Sequence, residues 1–203
     1  MTEKLSKAVT AWLDTPAWAR AEVMQVPRNA AARALFDERN YRRELDALDT
    51  EMSRRMLGRR STVKKLEVPA PEPTEDEKKA MAEDRAKYER AKRIIDPVII
   101  DACDTVASMS ASAALLEACD ANGEPDESVL EAWAEAPPID RDMLAAHAHM
   151  HAALHVERAQ KHRASTIVAG ALSCGRAARA EEDIAAAFAA AAGILEASAE
   201  ERT

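Results

Sequence analysis

Apolar residues recur at intervals of three and four positions along most of the chain, which is the spacing of one face of an α-helix. Such positions near the two ends of the chain are Leu5, Val9, Trp12 and Leu13, and Ile184, Phe188, Ala191 and Leu195. The chain contains only five glycines, far too few for a turn-rich β protein; one of them, in Asn122-Gly123, marks a turn. The sequence therefore predicts an all-α fold, a helical bundle of about five to seven helices.

Prolines divide this pattern into segments. Pro16, Pro27 and Pro97 each stand where a helix tolerates its first residue, so we expect a helix to begin at each of them. Three further prolines alternate with other residues near position 70, which is typical of an extended linker. We predict an N-terminal helical arm or hairpin segment at 1–66, a Pro-rich linker at 67–74 and the helical bundle at 75–203.

The helix expected after Pro27 carries a thin apolar stripe that includes Leu45, Leu48 and Met52. Thr74 and Glu77 form a capping box that opens the helix after the linker. The stripe of that second helix is equally thin, and its members are Met81, Tyr88 and Ile95. A narrow stripe needs one partner helix, so the two helices either form a hairpin or pair with another chain as in a coiled coil. Leu45, Leu48 and Met52 are the predicted protein interface.

Charge and cysteine content limit the partners. The net charge of −8 suits solubility and argues against nucleic acid as the default partner. The three cysteines, Cys103, Cys119 and Cys174, show no CxxC pairing, which fits free thiols in a reducing cytoplasm. The most apolar runs fall short of the ~20 residues that a spanning helix needs, and no apolar leader is apparent at the start. We therefore predict a cytoplasmic protein without a membrane span.

A long helix is expected to begin at Ile139 and to carry Met143, Met150 and Leu154 on one apolar face. All five histidines of the chain lie within this helix: His147, His149, His151, His155 and His162.

Three interpretations of the histidines remain open. His147, His151 and His155 are spaced by four, and imidazoles one helical turn apart can bind zinc or a similar transition metal. Because imidazole gains a proton near pH 6.5, the same side chains can make a pH-sensitive contact. The simplest interpretation is a semi-buried polar edge of a bundle helix, which requires no cofactor.

A basic run lies between Met52 and Leu66, where no acidic residue occurs. Its members are Arg54, Arg55, Arg59, Arg60, Lys64 and Lys65. Such a run can bind phosphates of nucleic acid or an acidic protein surface. Positive charge at a helix end is also favoured by the helix dipole alone.

The chain lacks the GxGxxG, P-loop, HExxH and GxSxG motifs. We therefore predict a non-enzymatic interaction or assembly protein, either an adaptor, a chaperone or a structural subunit, that binds a protein partner or forms a homo-oligomer. Its small, acidic, helical build with an arm is similar to that of phage accessory proteins such as tail-assembly chaperones and connector subunits, a likeness of composition that covers no motif. The alternatives are a nucleic-acid-associated helical protein using residues 54–65 and a metal-binding helical protein using the histidines.

Overall fold

A computed structural model of the chain describes the backbone of residues 2–61, 73–165 and 171–200, and the side chains of these ranges outside 55–61 and 171–172. These ranges contain α1 (Glu3–Leu13), α2 (Ala17–Ser61), α3 (Glu75–Asn122), α4 (Glu127–Glu135), α5 (Pro138–Ala164) and α6 (Ala171–Glu200). No strand occurs within them. The all-α prediction, with about five to seven helices, is confirmed.

Side chains that precede three of the helices accept hydrogen bonds from backbone N–H groups of the first turn. The hydroxyl of Thr2 accepts from the N–H of Leu5, and the carboxylate of Asp126 accepts from the N–H of Val129 at 3.0 Å. At α3 the capping box is reciprocal, because the N–H of Thr74 donates to the Glu77 carboxylate at 2.8 Å while the N–H of Glu77 donates to the Thr74 hydroxyl at 3.3 Å. These bonds satisfy donors that a helix start otherwise leaves open.

Two of the three predicted helix starts are wrong. Pro16 precedes α2 as expected, but Pro27 and Pro97 lie inside α2 and α3. A proline inside a helix removes one backbone hydrogen bond and costs about 3 kcal/mol. At Pro27 that cost is offset by tertiary packing, since the ring is buried and lines the same cavity as Leu116 of α3 and Phe188 of α6.

The contacts divide the chain into two units. One, which we call the bundle unit, comprises Met1–Arg33 and Asp104–Thr203, and the other, the hairpin unit, comprises Ala34–Cys103. We predicted domain limits on either side of the Pro-rich segment from its composition. The limits of the two units instead fall within α2 and α3. Most of the predicted linker at 67–74 lies outside the described residues.

In the bundle unit, α6 packs against α5, α1 and α4. Alanines make up much of its buried surface and allow close approach; a Cβ atom on Gly193 would stand 3.4 Å from the Ala8 side chain. Larger buried side chains come from α6 itself, with Phe188, Ile194 and Leu195, and from the other helices. The indole N–H of Trp133 on α4 donates to the carbonyl of Leu195 on α6 at 3.2 Å. Because alanines line the contact between α5 and α6 on both sides, these two helices pack at short range without many aromatic residues.

In the hairpin unit, half-buried positions recur at alternating steps of four and three residues. On α2 they include Ala34, Glu38, Tyr41, Leu45, Leu48 and Met52, and on α3 they include Met81, Asp84, Tyr88, Ala91 and Ile95. The hydroxyl of Tyr88 donates to the carboxylate of Asp49, which ties the two helices together. This is the seam of an antiparallel helical hairpin, one of the two arrangements that the thin stripes allow.

Candidate interaction surface and histidine cluster

Helix α5 presents small and large apolar side chains on different faces. Its buried residues are Ala145, Ala148 and Ala159. Four large apolar side chains on another face are exposed: Ile139 is 69% exposed, Met143 and Met150 are each 50% exposed, and Leu154 is 41% exposed. With about 100° per residue these four and the exposed His147 fall within about 80° of the helix circumference. We call Ile139, Met143, His147, Met150 and Leu154 the α5 stripe.

A cavity of about 80 Å³ lies beside the α5 stripe. Its α5 wall is formed by Leu144, His147, Ala148 and His151, and the rest by Val23, Val26, Pro27, Met109, Ser112, Leu116, Phe188, Ala191 and Leu195. Small-molecule pockets in proteins usually measure roughly 300–1,000 Å³, so this one is too small for most metabolites. It can accommodate the end of one apolar side chain or a few waters.

The histidines of α5 hold it against α6. His151 and His155 both stack on Phe188, with ring centroids 4.9 Å and 5.5 Å away. Nδ1 of His155 lies 2.5 Å from the carboxylate of Glu181, and Nε2 of the more exposed His149 lies 2.9 Å from that of Glu196. These contacts agree best with the structural interpretation of the histidines.

Burial lowers the pKa of His151, and the positive charges that His155, His147 and Arg158 can carry lower it further. The neutral imidazole is therefore the form that packs on Phe188 at pH 7. No sequence signal placed Phe188 beside these rings, because the two helices are brought together only by the fold.

The predicted metal ligands His147, His151 and His155 do not share one point in space. Two of them stack on one ring, and His155 already contacts a carboxylate. Within the part of the chain that the structure describes, no three His, Cys, Asp or Glu side chains gather as a metal site requires. Zinc binding stays a prediction.

The predicted interface residues Leu45, Leu48 and Met52 are half-buried within the hairpin unit. Leu48 and Met52 line a groove of about 310 Å³ together with Tyr88 and Ala91 of α3. Their apolar face is thus partly covered by the same chain, and contact with another chain stays a prediction.

Of the basic run, only the side chain of Arg54 is described, and it is exposed on α2. Arg55, Arg59 and Arg60 belong to α2, but their side chains lie outside the described residues, as do Lys64 and Lys65 entirely. Binding of nucleic acid or an acidic partner by this run stays a prediction.

The thiols differ in their surroundings. Burial raises the pKa of Cys119 to about 12, so its thiolate is scarce at neutral pH and the residue is a core side chain. Cys103 and Cys174 are half-buried. Neither has a histidine beside it in the contacts described, so no nucleophile and base pair is formed there.

Helix α3 contains an 18-residue stretch that is apolar enough to cross a membrane by length and composition, of which 28% is buried. Sequence analysis missed this stretch because aspartates interrupt its apolar residues. Parts of α3 pack within the fold: Leu115 and Leu116 are 0% and 2% exposed in the bundle core.

Comparison with protein-family models, with curated proteins and with solved structures gives no match. A function must therefore be assigned from the residues of the chain itself. Exposed large apolar side chains also occur on α2 and α3, and the α5 stripe places four of them on one face of one helix.

Proposed function

We propose that this chain is a non-enzymatic protein–protein interaction or assembly protein and that the α5 stripe is its contact surface. The observation that supports the proposal is the row of four large apolar side chains, 41–69% exposed, on one face of a well-packed helix. Singly scattered apolar residues are normal on a protein surface, whereas contiguous ones mark interaction sites. The proposal covers an adaptor, an assembly chaperone or a structural subunit in the cytoplasm, including one of phage origin, and requires no cofactor.

The size of the stripe indicates how strong the contact is. Complete burial of a Leu, Ile or Met side chain is worth about 1.5–3 kcal/mol, so covering four that are about half exposed gives about 4 kcal/mol. Alone this corresponds to a dissociation constant near 1 mM. The surface next to the stripe must therefore contribute further binding free energy. That surface is apolar too, because the cavity lies there and Val26, which lines it, is 41% exposed.

The hairpin unit is a second candidate contact. Apart from Ala102 at its end, no side chain described between residues 34 and 103 is fully buried. A third helix from a partner can cover such a seam, as in helical bundles. Leu45, Leu48 and Met52 would then contact that helix as well as α3.

Tagged full-length protein recovered from its own host tests the proposal. We expect a polypeptide, either a second copy or a different chain, to be recovered with the wild type and to be lost with Met150→Glu. The matched control is Gln160→Glu, which adds the same charge at an exposed position of α5 outside the stripe. Circular dichroism checks that both variants are folded. If neither a recovered polypeptide nor self-association of the purified chain at high concentration depends on Met150, the stripe is not a contact surface.

A further inference from the structure

We propose that the partner of the α5 stripe is a second copy of this chain, whose α5 packs antiparallel across it about a two-fold axis close to His147. This proposal rests on the stripe being the contact surface of the protein. It adds the identity of the occupant and the orientation of the two helices.

The order of side chains along the stripe is the first argument. From Ile139 to Leu154 the spacing is four, four, three and four residues, which reads almost the same in the reverse direction. In an antiparallel pair Ile139 lies opposite the partner subunit's Leu154, and Met143 lies opposite the partner subunit's Met150. The axis then passes between Ala146 and His147, so His147 lies close to its own counterpart. A surface that complements itself in this way is what a two-fold interface requires.

Charge along α5 is the second argument. The first turns carry Asp140 and Asp142 with Arg141, a net charge of −1, whereas the last turns carry Arg158, Lys161 and Arg163 with Glu157, a net charge of +2. An antiparallel pair brings the acidic end of each helix toward the basic end of the other, and it also opposes the two helix dipoles. A parallel pair would bring like charges together.

The cavity is the third argument. Leu144, His147 and His151 form part of its wall on α5, and in the antiparallel register the partner subunit's Met143 and Met150 cross this section of the helix. Methionine is unbranched and flexible, so it fills irregular gaps of this kind. The cavity thus supplies the additional apolar contact that the stripe alone lacks.

One pair of helices covers less than the roughly 800 Å² per partner of a standard interface. We therefore expect a dissociation constant on the order of 10–100 µM, which belongs to the weak and transient class. Sedimentation equilibrium of the untagged full chain between about 1 and 500 µM measures it. Met150→Glu should weaken association at least tenfold, while Gln160→Glu should leave it unchanged.

Disulfide trapping tests the orientation. Met143→Cys and Met150→Cys proteins are oxidised separately and as a mixture, with the wild type as the baseline for the native thiols. In the antiparallel register only the mixture places introduced thiols within the ~7 Å Cα separation that a disulfide needs. We expect the mixed disulfide by intact mass under non-reducing conditions. Efficient self-crosslinking of either variant alone would show a parallel pair and overturn the proposed orientation.

The outcomes separate the two proposals. A wild type that stays monomeric to 500 µM, or a dimer that Met150→Glu does not weaken, overturns the second-copy proposal. If, in that case, a different polypeptide from the host is still lost with Met150→Glu, the stripe remains the contact surface with another occupant. If nothing depends on Met150, both proposals fail.

Discussion

Trp12 and Trp133 provide a matched pair for testing how the bundle core is stabilised. Both are 0% exposed and belong to the same apolar cluster. They differ at the indole nitrogen: Nε1 of Trp133 donates to the Leu195 carbonyl at 3.2 Å, whereas the buried Nε1 of Trp12 has no acceptor among the described residues. Replacing each by phenylalanine removes the same atoms from two sites that differ in one hydrogen bond.

The two replacements should differ in cost by about 2–3 kcal/mol. The smaller ring loses packing worth roughly 1–2 kcal/mol at either position. Trp133→Phe also loses a hydrogen bond worth about 1 kcal/mol, so its total loss is about 2–3 kcal/mol. Trp12→Phe instead removes a buried donor whose lack of a partner costs about 1–3 kcal/mol, which offsets the lost packing. Its net effect should be close to zero.

Urea denaturation followed by circular dichroism at 222 nm measures both changes, because the helix signal does not depend on either tryptophan. The slope of unfolding free energy against urea should match that of the wild type, which shows that the same surface is exposed. Equal losses in the two variants would refute the reasoning. That result would mean that the Trp12 N–H is hydrogen-bonded, for instance to a buried water.

Four further predictions each have an expected direction. Gly123 has φ +69° at the end of α3, so Gly123→Ala should lower the unfolding free energy by about 1 kcal/mol. Gly175→Ala, inside α6 with open space around it, should raise it by up to about 1 kcal/mol; equal signs in urea denaturation would contradict this. Cys119 should escape iodoacetamide at pH 8 until the protein unfolds, as read by intact mass, because burial raises its pKa to about 12. Because the pKa of His151 is lowered, the folded state binds this proton less readily than the unfolded chain does. The contribution of the neutral imidazole to the unfolding free energy is therefore complete above pH 6.5 and is lost as pH falls through the lowered value. The loss of unfolding free energy between pH 7 and pH 5 should therefore be smaller in His151→Gln than in wild type, with the exposed His149→Gln as control; an unchanged loss would refute it.

The sequence was a good guide to where helices exist and to several of their ends. Thr74 with Glu77 and the Asn122-Gly123 turn appear in the structure where the pattern placed them. These are local features, because a cap or a left-handed glycine is decided by a few neighbouring residues. The prediction that a helix begins at Pro27 was wrong. The free energy that a proline costs inside a helix is offset here by burial against other segments, and a rule based on neighbouring residues does not include that burial.

Only part of the candidate site could be predicted from the sequence. The apolar face with Met143, Met150 and Leu154 could be recognised, but periodicity does not tell which face of a helix finds a partner. In α5 the alanine face is buried against α6 and the larger side chains remain outside. The stacking of His151 on Phe188 could not be predicted from the sequence either, because the two residues are far apart in the chain.

The amino-acid sequence by itself thus determined the all-α fold and the amphipathic helices, since spacing, capping and low glycine content act within a few residues. Only the tertiary structure decided which faces are covered. Small side chains let two helices approach closely. Alanines of α5 therefore pack against α6, whereas bulkier side chains of α5 are exposed. Which faces meet depends on the shapes of both helices at once, and the arrangement leaves the α5 stripe exposed.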